Sequence, residues 1–148
     1  MNTEEDSGSG NAVAPTPMVR VALVVLTVLL FAEAALMVGV TAWLVMELLV
    51  DEPSSLASGL ALTAVSAVGA TWVVAVAVAA ARRAPWARGG AITWQLLQLA
   101  VAVGAFQGLF ARPDVGWALL APAITVIVLL LLPPVSACFA RPVVGAED

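Results

Sequence analysis

Residues 21–50 read VALVVLTVLLFAEAALMVGVTAWLVMELLV, a stretch in which Glu33 and Glu47 are the only charges. It exceeds the roughly 20 residues needed to cross ~30 Å of hydrocarbon at 1.5 Å per residue. Three more apolar runs follow: Leu56 to Ala81, Ala91 to about Ala111, and Val115 to Leu132. Each is expected to be a helix, because an isolated strand leaves its backbone groups unpaired in lipid.

Composition extends the argument to the whole chain. Of 148 residues, 62% are hydrophobic and 11% charged, with a mean hydropathy of +1.05. Soluble domains run near 45–50% and about 25%. Six basic and ten acidic residues cannot cover the surface of a soluble domain this size. The bilayer is the solvent to reason in, and the plasma membrane is the expected location. The absences narrow the chemistry. There is no His, no Tyr and no Lys, and Cys138 is the single cysteine. An intrachain disulfide, a Cys/His metal cluster, a histidine base, a Schiff-base lysine and a P-loop lysine are all excluded. No enzyme, cofactor or metal is expected.

The segments between the runs are short and rich in breakers. Residues 1–19 are polar and small, ending in Pro15 and Pro17, and read as a disordered cytoplasmic tail. Asp51-Glu52-Pro53-Ser54-Ser55 stops the first helix and caps the second, through Ser54 or Ser55. Arg82 to Gly90 joins the second helix to the third. Arg112-Pro113-Asp114 joins the third to the fourth, with Asp114 as N-cap. Pro133-Pro134 ends the fourth, leaving residues 138–148 as a cytoplasmic tail that begins at Cys138, inert or S-acylated. Arg20 and Ala32-Glu33-Ala34 imitate a cleavable signal, but the apolar run continues past the cleavage point, so the helix is read as retained. Loops this short make neighbours antiparallel. The fold class is all-α: a transmembrane up-down-up-down four-helix bundle over residues 20–137, with helices at about 20–50, 56–81, 91–111 and 115–132. Arg20, Arg82, Arg83, Arg88 and Arg141 fall on one side and Arg112 on the other, which puts both termini in the cytoplasm.

Glu33 is the most informative residue. It lies thirteen positions after Arg20, about 20 Å in, near mid-bilayer. A charge there costs ~2.5–3.5 kcal/mol even on lenient scales, so the side chain must face helices or water. Either it carries a proton or cation, or it is interhelical glue. Gln95 and Gln98 share one face of the third helix. Gln98 lies within a turn of the depth of Glu33 and is its expected partner, with Thr71 and Thr125 at similar depth to complete a polar cluster. Trp72 sits well inside the second helix, where its indole N–H needs a partner.

Small residues mark packing faces. Gly59, Thr63, Ser66 and Ala70 form a close-packing stripe on the second helix. Ala100, Gly104 and Gly108 form a row roughly opposite Gln95, read either as contact inside the bundle or as a dimer face. Glu47, Asp51 and Glu52 make an acidic outer rim, expected to be solvated. Arg82, Arg83 and Arg88 fix topology and can bind anionic headgroups at ~1 kcal/mol per Arg. Three arginines without a matching fold do not support nucleic-acid binding.

The stretch Arg82-Arg83-Ala84-Pro85-Trp86-Ala87-Arg88-Gly89-Gly90-Ala91-Ile92-Thr93-Trp94-Gln95-Leu96-Leu97-Gln98 resembles the loop and third helix of small four-span integral membrane proteins of actinobacteria. That group reads as an Arg-rich turn with Trp-Ala-Arg and a helix opening with Thr-Gln-Leu. It carries a Glu in the first helix, where Glu33 stands, and a Pro-Pro or Ser-Pro near the fourth, where Pro133-Pro134 stand. The resemblance covers most of residues 20–140. Here Ala84-Pro85 separates the Arg pair from Trp86, and Trp94 intrudes between Thr93 and Gln95. It implies topology and no assigned activity. Phe31-Ala32-Glu33-Ala34 is also similar to the first helix of small multidrug resistance transporters. The third helix lacks that family's Gly-, Tyr- and Trp-bearing motif.

Three function classes follow, in descending order. The first is a non-enzymatic multi-pass protein that packs with the bilayer and with a second copy or a partner membrane protein. The second is a small oligomeric proton-coupled transporter built on Glu33. The third is a membrane enzyme using Glu33 or a rim arginine.

Overall fold

The computed structural model describes residues 16–50, 55–107 and 111–140. Within them the chain is all-helical: α1 (Pro17–Val50), α2 (Leu56–Ala81), α3 (Pro85–Ala105), α4 (Pro113–Leu131) and the short α5 (Pro133–Ala137). By length and composition α1, α2 and α4 can cross a membrane. The sequence reading expects four such helices. α3 has the length, at 21 residues, but Arg88, Gln95 and Gln98 dilute its hydropathy, and it does not join them.

The largest helix interfaces are α1 on α2 and α3 on α4, with smaller ones between α2 and α3 and between α1 and α4. Consecutive helices run antiparallel. Thr41 meets Ser66, while Arg20 and Ala81 line one groove at the far end. Gly90 meets Val76 and Gly69 meets Trp94. Gln98 meets Leu119, and Phe106 meets Gly116.

The buried residues of α1 are Val19, Leu23, Leu26, Leu30 and Ala34, whose spacing of three and four keeps them on one face. They pack on Val73, Val76 and Ala77 of α2, Ala87 and Ala91 of α3, and Val126 and Leu130 of α4. The core therefore gathers toward the helix ends that carry Arg20, Arg82, Arg83 and Arg88. Beyond Ala34, α1 buries nothing, and Leu36, Trp43, Met46 and Leu49 are exposed. On that stretch the Thr41 hydroxyl donates to the Met37 carbonyl, so the 2.8 Å bond between Thr41 and Ser66 has the Ser66 hydroxyl as donor.

Several expected boundaries move, each for a local reason. α3 begins at Pro85, not Ala91, because proline is preorganised for the first helical position and Ala84 before it is extended, at φ −65° and ψ 136°. Gly89-Gly90 does not break the helix. A Cβ on Gly90 would stand 3.0 Å from Val76 and 3.3 Å from Trp86, so this glycine permits a close helix contact. The turn between α2 and α3 shrinks to Arg82-Arg83-Ala84. Ala84 N–H donates to Ala79 O and Arg83 N–H to Ala80 O, the paired bonds of a Schellman ending. Arg83 takes the left-handed position at φ 54°, where glycine is usual.

α3 ends at Ala105 and not near Ala111, because the Arg112 N–H reaches back to the Ala105 carbonyl at 2.8 Å. Pro113 occupies the first turn of α4, which makes Arg112 the N-cap in place of Asp114. Asp114 lies in that first turn, where the helix dipole favours a negative charge, and pairs with Arg112 at 2.9 Å. Pro133 ends α4 as expected but also opens α5, and Val135 and Phe139 enter the core. At the start of the expected C-terminal tail Phe139 is therefore buried and Cys138 half-buried, while Ala140 is exposed. Ser55 caps α2, accepting from the Ser58 N–H. The expected N-terminal tail before Thr16, the Asp51-Glu52-Pro53-Ser54 link, Gly108 and Arg141 lie outside the described residues.

Candidate functional site: a polar clasp between α1 and α3

Glu33 lies three residues after Leu30 and seven after Leu26, which places it at the edge of the buried face of α1. It is half-buried. Its Oε2 accepts two hydrogen bonds from consecutive residues of α3: Trp94 Nε1 at 3.1 Å and Gln95 Nε2 at 3.0 Å. The α1 and α3 backbones are not among the closely packed helix pairs, so long side chains span the gap. Gln95 is fully buried on the inner face of α3, in line with Ala87, Ala91, Gln98 and Ala102. Trp94 reaches the same oxygen because its ring lies over Gly69 of α2. A Cβ there would stand 3.6 Å from the ring and 3.3 Å from the tip of Met37.

Two oxygens of the clasp have no partner. Glu33 Oε1 and Gln95 Oε1 are both buried and accept nothing. Among the described residues, Arg88 Nε is the one other side-chain polar atom in this condition.

Gln98, the expected partner, approaches the Glu33 carboxyl only as its weakest donor, behind Gln95 and Trp94. Gln98 Nε2 donates instead to the Leu119 carbonyl of α4 at 3.1 Å. Pro122 lies three residues past that carbonyl. It has no N–H for the carbonyl of Ala118, and its ring disturbs the helix ladder just there. The buried Gln98 amide meets the same turn one carbonyl further on, at Leu119. The structure also does not bring Thr71 or Thr125 to the acid. Both are exposed and donate to their own helix, at Ala67 O and Ala121 O. Trp72 is 42% exposed and outside the clasp.

The small-residue stripes divide. On α2, Ser66 and Ala70 are buried while Gly59 and Thr63 are half-buried, and Ser66 faces α1. On α3, Ala100 and Gly104 are exposed, and a Cβ on Gly104 would meet nothing within 4 Å. Nine residues separate Gly104 from buried Gln95, half a revolution at 3.6 residues per turn. The row therefore faces away from the other helices. Arg82 and Arg83 are exposed and Arg88 half-buried, and Glu47 is exposed.

The sequence reading missed Trp94 as a donor and Pro122 beside the turn that Gln98 meets. Both signals were present: an indole beside a glutamine on one helix, and a proline inside an apolar run. Chemically, the site holds one ionisable group with neutral donors, and no nucleophile is paired with a base. Among the described residues no group of three His, Cys, Asp or Glu side chains converges. No protein-family model matches the chain, and no curated protein or solved structure matches it.

Proposed function

We propose that this chain is a non-enzymatic, multi-pass integral membrane protein of the plasma membrane, a four-helix bundle with both termini in the cytoplasm, that works by packing against a second copy or a partner membrane protein. The observation that carries this reading is the clasp. A carboxyl inside an apolar helix set is received by two donors of α3 and by no catalytic partner. The low hydropathy of α3 is compatible with a fourth span, because Gln95 and Gln98 point inward while Leu96, Leu97, Val101 and Val103 are exposed. The outward row of Ala100 and Gly104 supplies a face on which another helix can lie close.

Cross-linking in intact membranes tests the packing reading. Gly104→Cys in a Cys138→Ser background is expected to give a cross-linked band that Thr71→Cys does not. A chain that stays monomeric in mild detergent and cross-links at neither position counts against it.

A second reading, an oligomeric proton-coupled transporter, is favoured by the unpartnered oxygens of Glu33 and Gln95. Substrate-induced proton release that disappears in Glu33→Gln would support it over the packing reading.

A further inference from the structure

The clasp is half of a familiar chemical pair. A carboxylic acid and a primary amide can close a ring with two hydrogen bonds. The amide N–H gives to one oxygen of the acid, and the acid O–H gives to the amide oxygen. The first bond is present, from Gln95 Nε2 to Glu33 Oε2 at 3.0 Å. The atoms left over, Glu33 Oε1 and Gln95 Oε1, are the ones a second bond of that ring would join, and both are buried without a hydrogen bond. Two buried acceptors that complete no hydrogen bond are costly in a low-dielectric setting, and the Gln98 amide, the weakest of the donors near this carboxyl, is already given to the Leu119 carbonyl. One proton between them satisfies both.

We propose that Glu33 and Gln95 form a proton-binding site: a proton on Glu33 Oε1 is donated to Gln95 Oε1, closing an acid–amide ring that Trp94 braces from the side. The proposal rests on the reading of α1 and α3 as membrane spans and names the ligand of that site. Loading takes one proton from water onto the carboxylate, and release returns it; no other group changes charge.

The surroundings select a proton over a metal cation. The site offers a single carboxyl and a neutral amide. The Trp94 N–H points at the same carboxyl from 3.1 Å, a donor where a cation would need a lone pair. No positive side chain neutralises Glu33. The charged residues in the helices packed around it are Arg20 and Glu47 on α1, Arg88 on α3 and Asp114 on α4, with none between Leu56 and Ala81 of α2. None hydrogen-bonds or ion-pairs with it. Arg88 lies seven residues before Gln95, about 10 Å along the axis. Turning the Gln95 amide over does not remove the need for a proton, since its oxygen would then face Glu33 Oε2.

Purified protein in lipid nanodiscs tests this with four variants: Glu33→Gln, Glu33→Leu, Gln95→Leu and Trp94→Phe. The amide introduced by Glu33→Gln can make an amide–amide ring with the same two bonds, so this variant is expected to melt with the wild type. Both Leu variants are expected to melt several degrees lower, and Trp94→Phe in between. Infrared spectra at neutral pH are expected to show a carboxylic-acid carbonyl band in the wild type. It should shift in Gln95→Leu and vanish in Glu33→Gln. A missing band, with Glu33→Gln melting as low as Glu33→Leu, overturns the proton and leaves a clasp built on a carboxylate. A missing band with a wild-type melting point that rises on adding sodium or potassium chloride, but not choline chloride, overturns it in favour of a metal cation. Leu variants that melt with the wild type overturn the clasp as a stabilising contact and the proton site with it, and leave the reading of α1 and α3 as membrane spans standing.

Discussion

Gln98 donates its side-chain amide to the Leu119 carbonyl three residues before Pro122, so a glutamine on one helix answers a proline on the next. The two residues should be energetically coupled. Gln98→Leu is expected to cost about 0.6–1.7 kcal/mol, the range found for interhelical polar contacts in membranes. Pro122→Ala restores an N–H for the neighbouring Ala118 carbonyl and regularises the turn that presents Leu119, and should lower that cost. A double-mutant cycle on reversible unfolding in micelles checks it, and additive single effects would refute the coupling.

Gly116 makes room for the tip of the Phe106 ring. A Cβ there would stand 2.7 to 2.9 Å from three ring atoms, closer than side chains pack. The ring is in turn set edge-on against Trp117, with centroids 5.6 Å apart and an interplanar angle of 78°. Gly116→Ala should displace the ring and destabilise by about 1–3 kcal/mol, as overpacking does. Phe106→Ala added to it should recover part of that loss. A Gly116→Ala protein as stable as wild type would mean the ring moves freely.

These two cases show what a single sequence can and cannot yield. Long apolar runs reveal helices because length and hydropathy are one-dimensional properties. The ends of α2 and α4 were legible from Arg82 and Pro133 for that reason. The start of α3 was not. Gly89-Gly90 looks like a break until Val76 and Trp86 are seen against it. Depth along an axis was likewise legible: Glu33 and the Gln95–Gln98 pair do fall on facing stretches. Rotation about the axis was not, and rotation decides that Gln95 reaches the acid while Gln98 turns to α4 and Thr71 and Thr125 turn outward.

Arg83 occupies a left-handed backbone position at φ 54° at the end of α2. Left-handed geometry costs an L-residue with a Cβ roughly 1–2 kcal/mol that glycine does not incur. Arg83→Gly should therefore raise thermal stability by about 1 kcal/mol. It should also weaken attraction to anionic lipid, since near a charged surface each arginine contributes about 1 kcal/mol. Melting and the share of anionic over neutral lipid retained on purification check the two halves, and a fall in stability would show that the side chain outweighs the backbone strain.

Topology is checkable with thiols. In a Cys138→Ser background, Ser55→Cys is expected to react with an impermeant maleimide added to intact cells, because Ser55 is exposed at the N-cap of α2. A cysteine replacing Arg82, exposed at the other end of that helix, should react only after the membrane is opened. The reverse pattern would invert the proposed orientation.

The helices differ in length by almost a factor of two. α1 has 34 residues and α4 has 19, about 51 Å against about 28 Å. In a lipid sheet near 30 Å thick, a rod that long must lean or stand proud, while its short neighbour calls for local thinning. One molecule thus asks the lipid around it for two thicknesses at once. A companion protein set against the α1 flank would relieve that tension, and bilayers of graded acyl length should change how strongly the chain clusters.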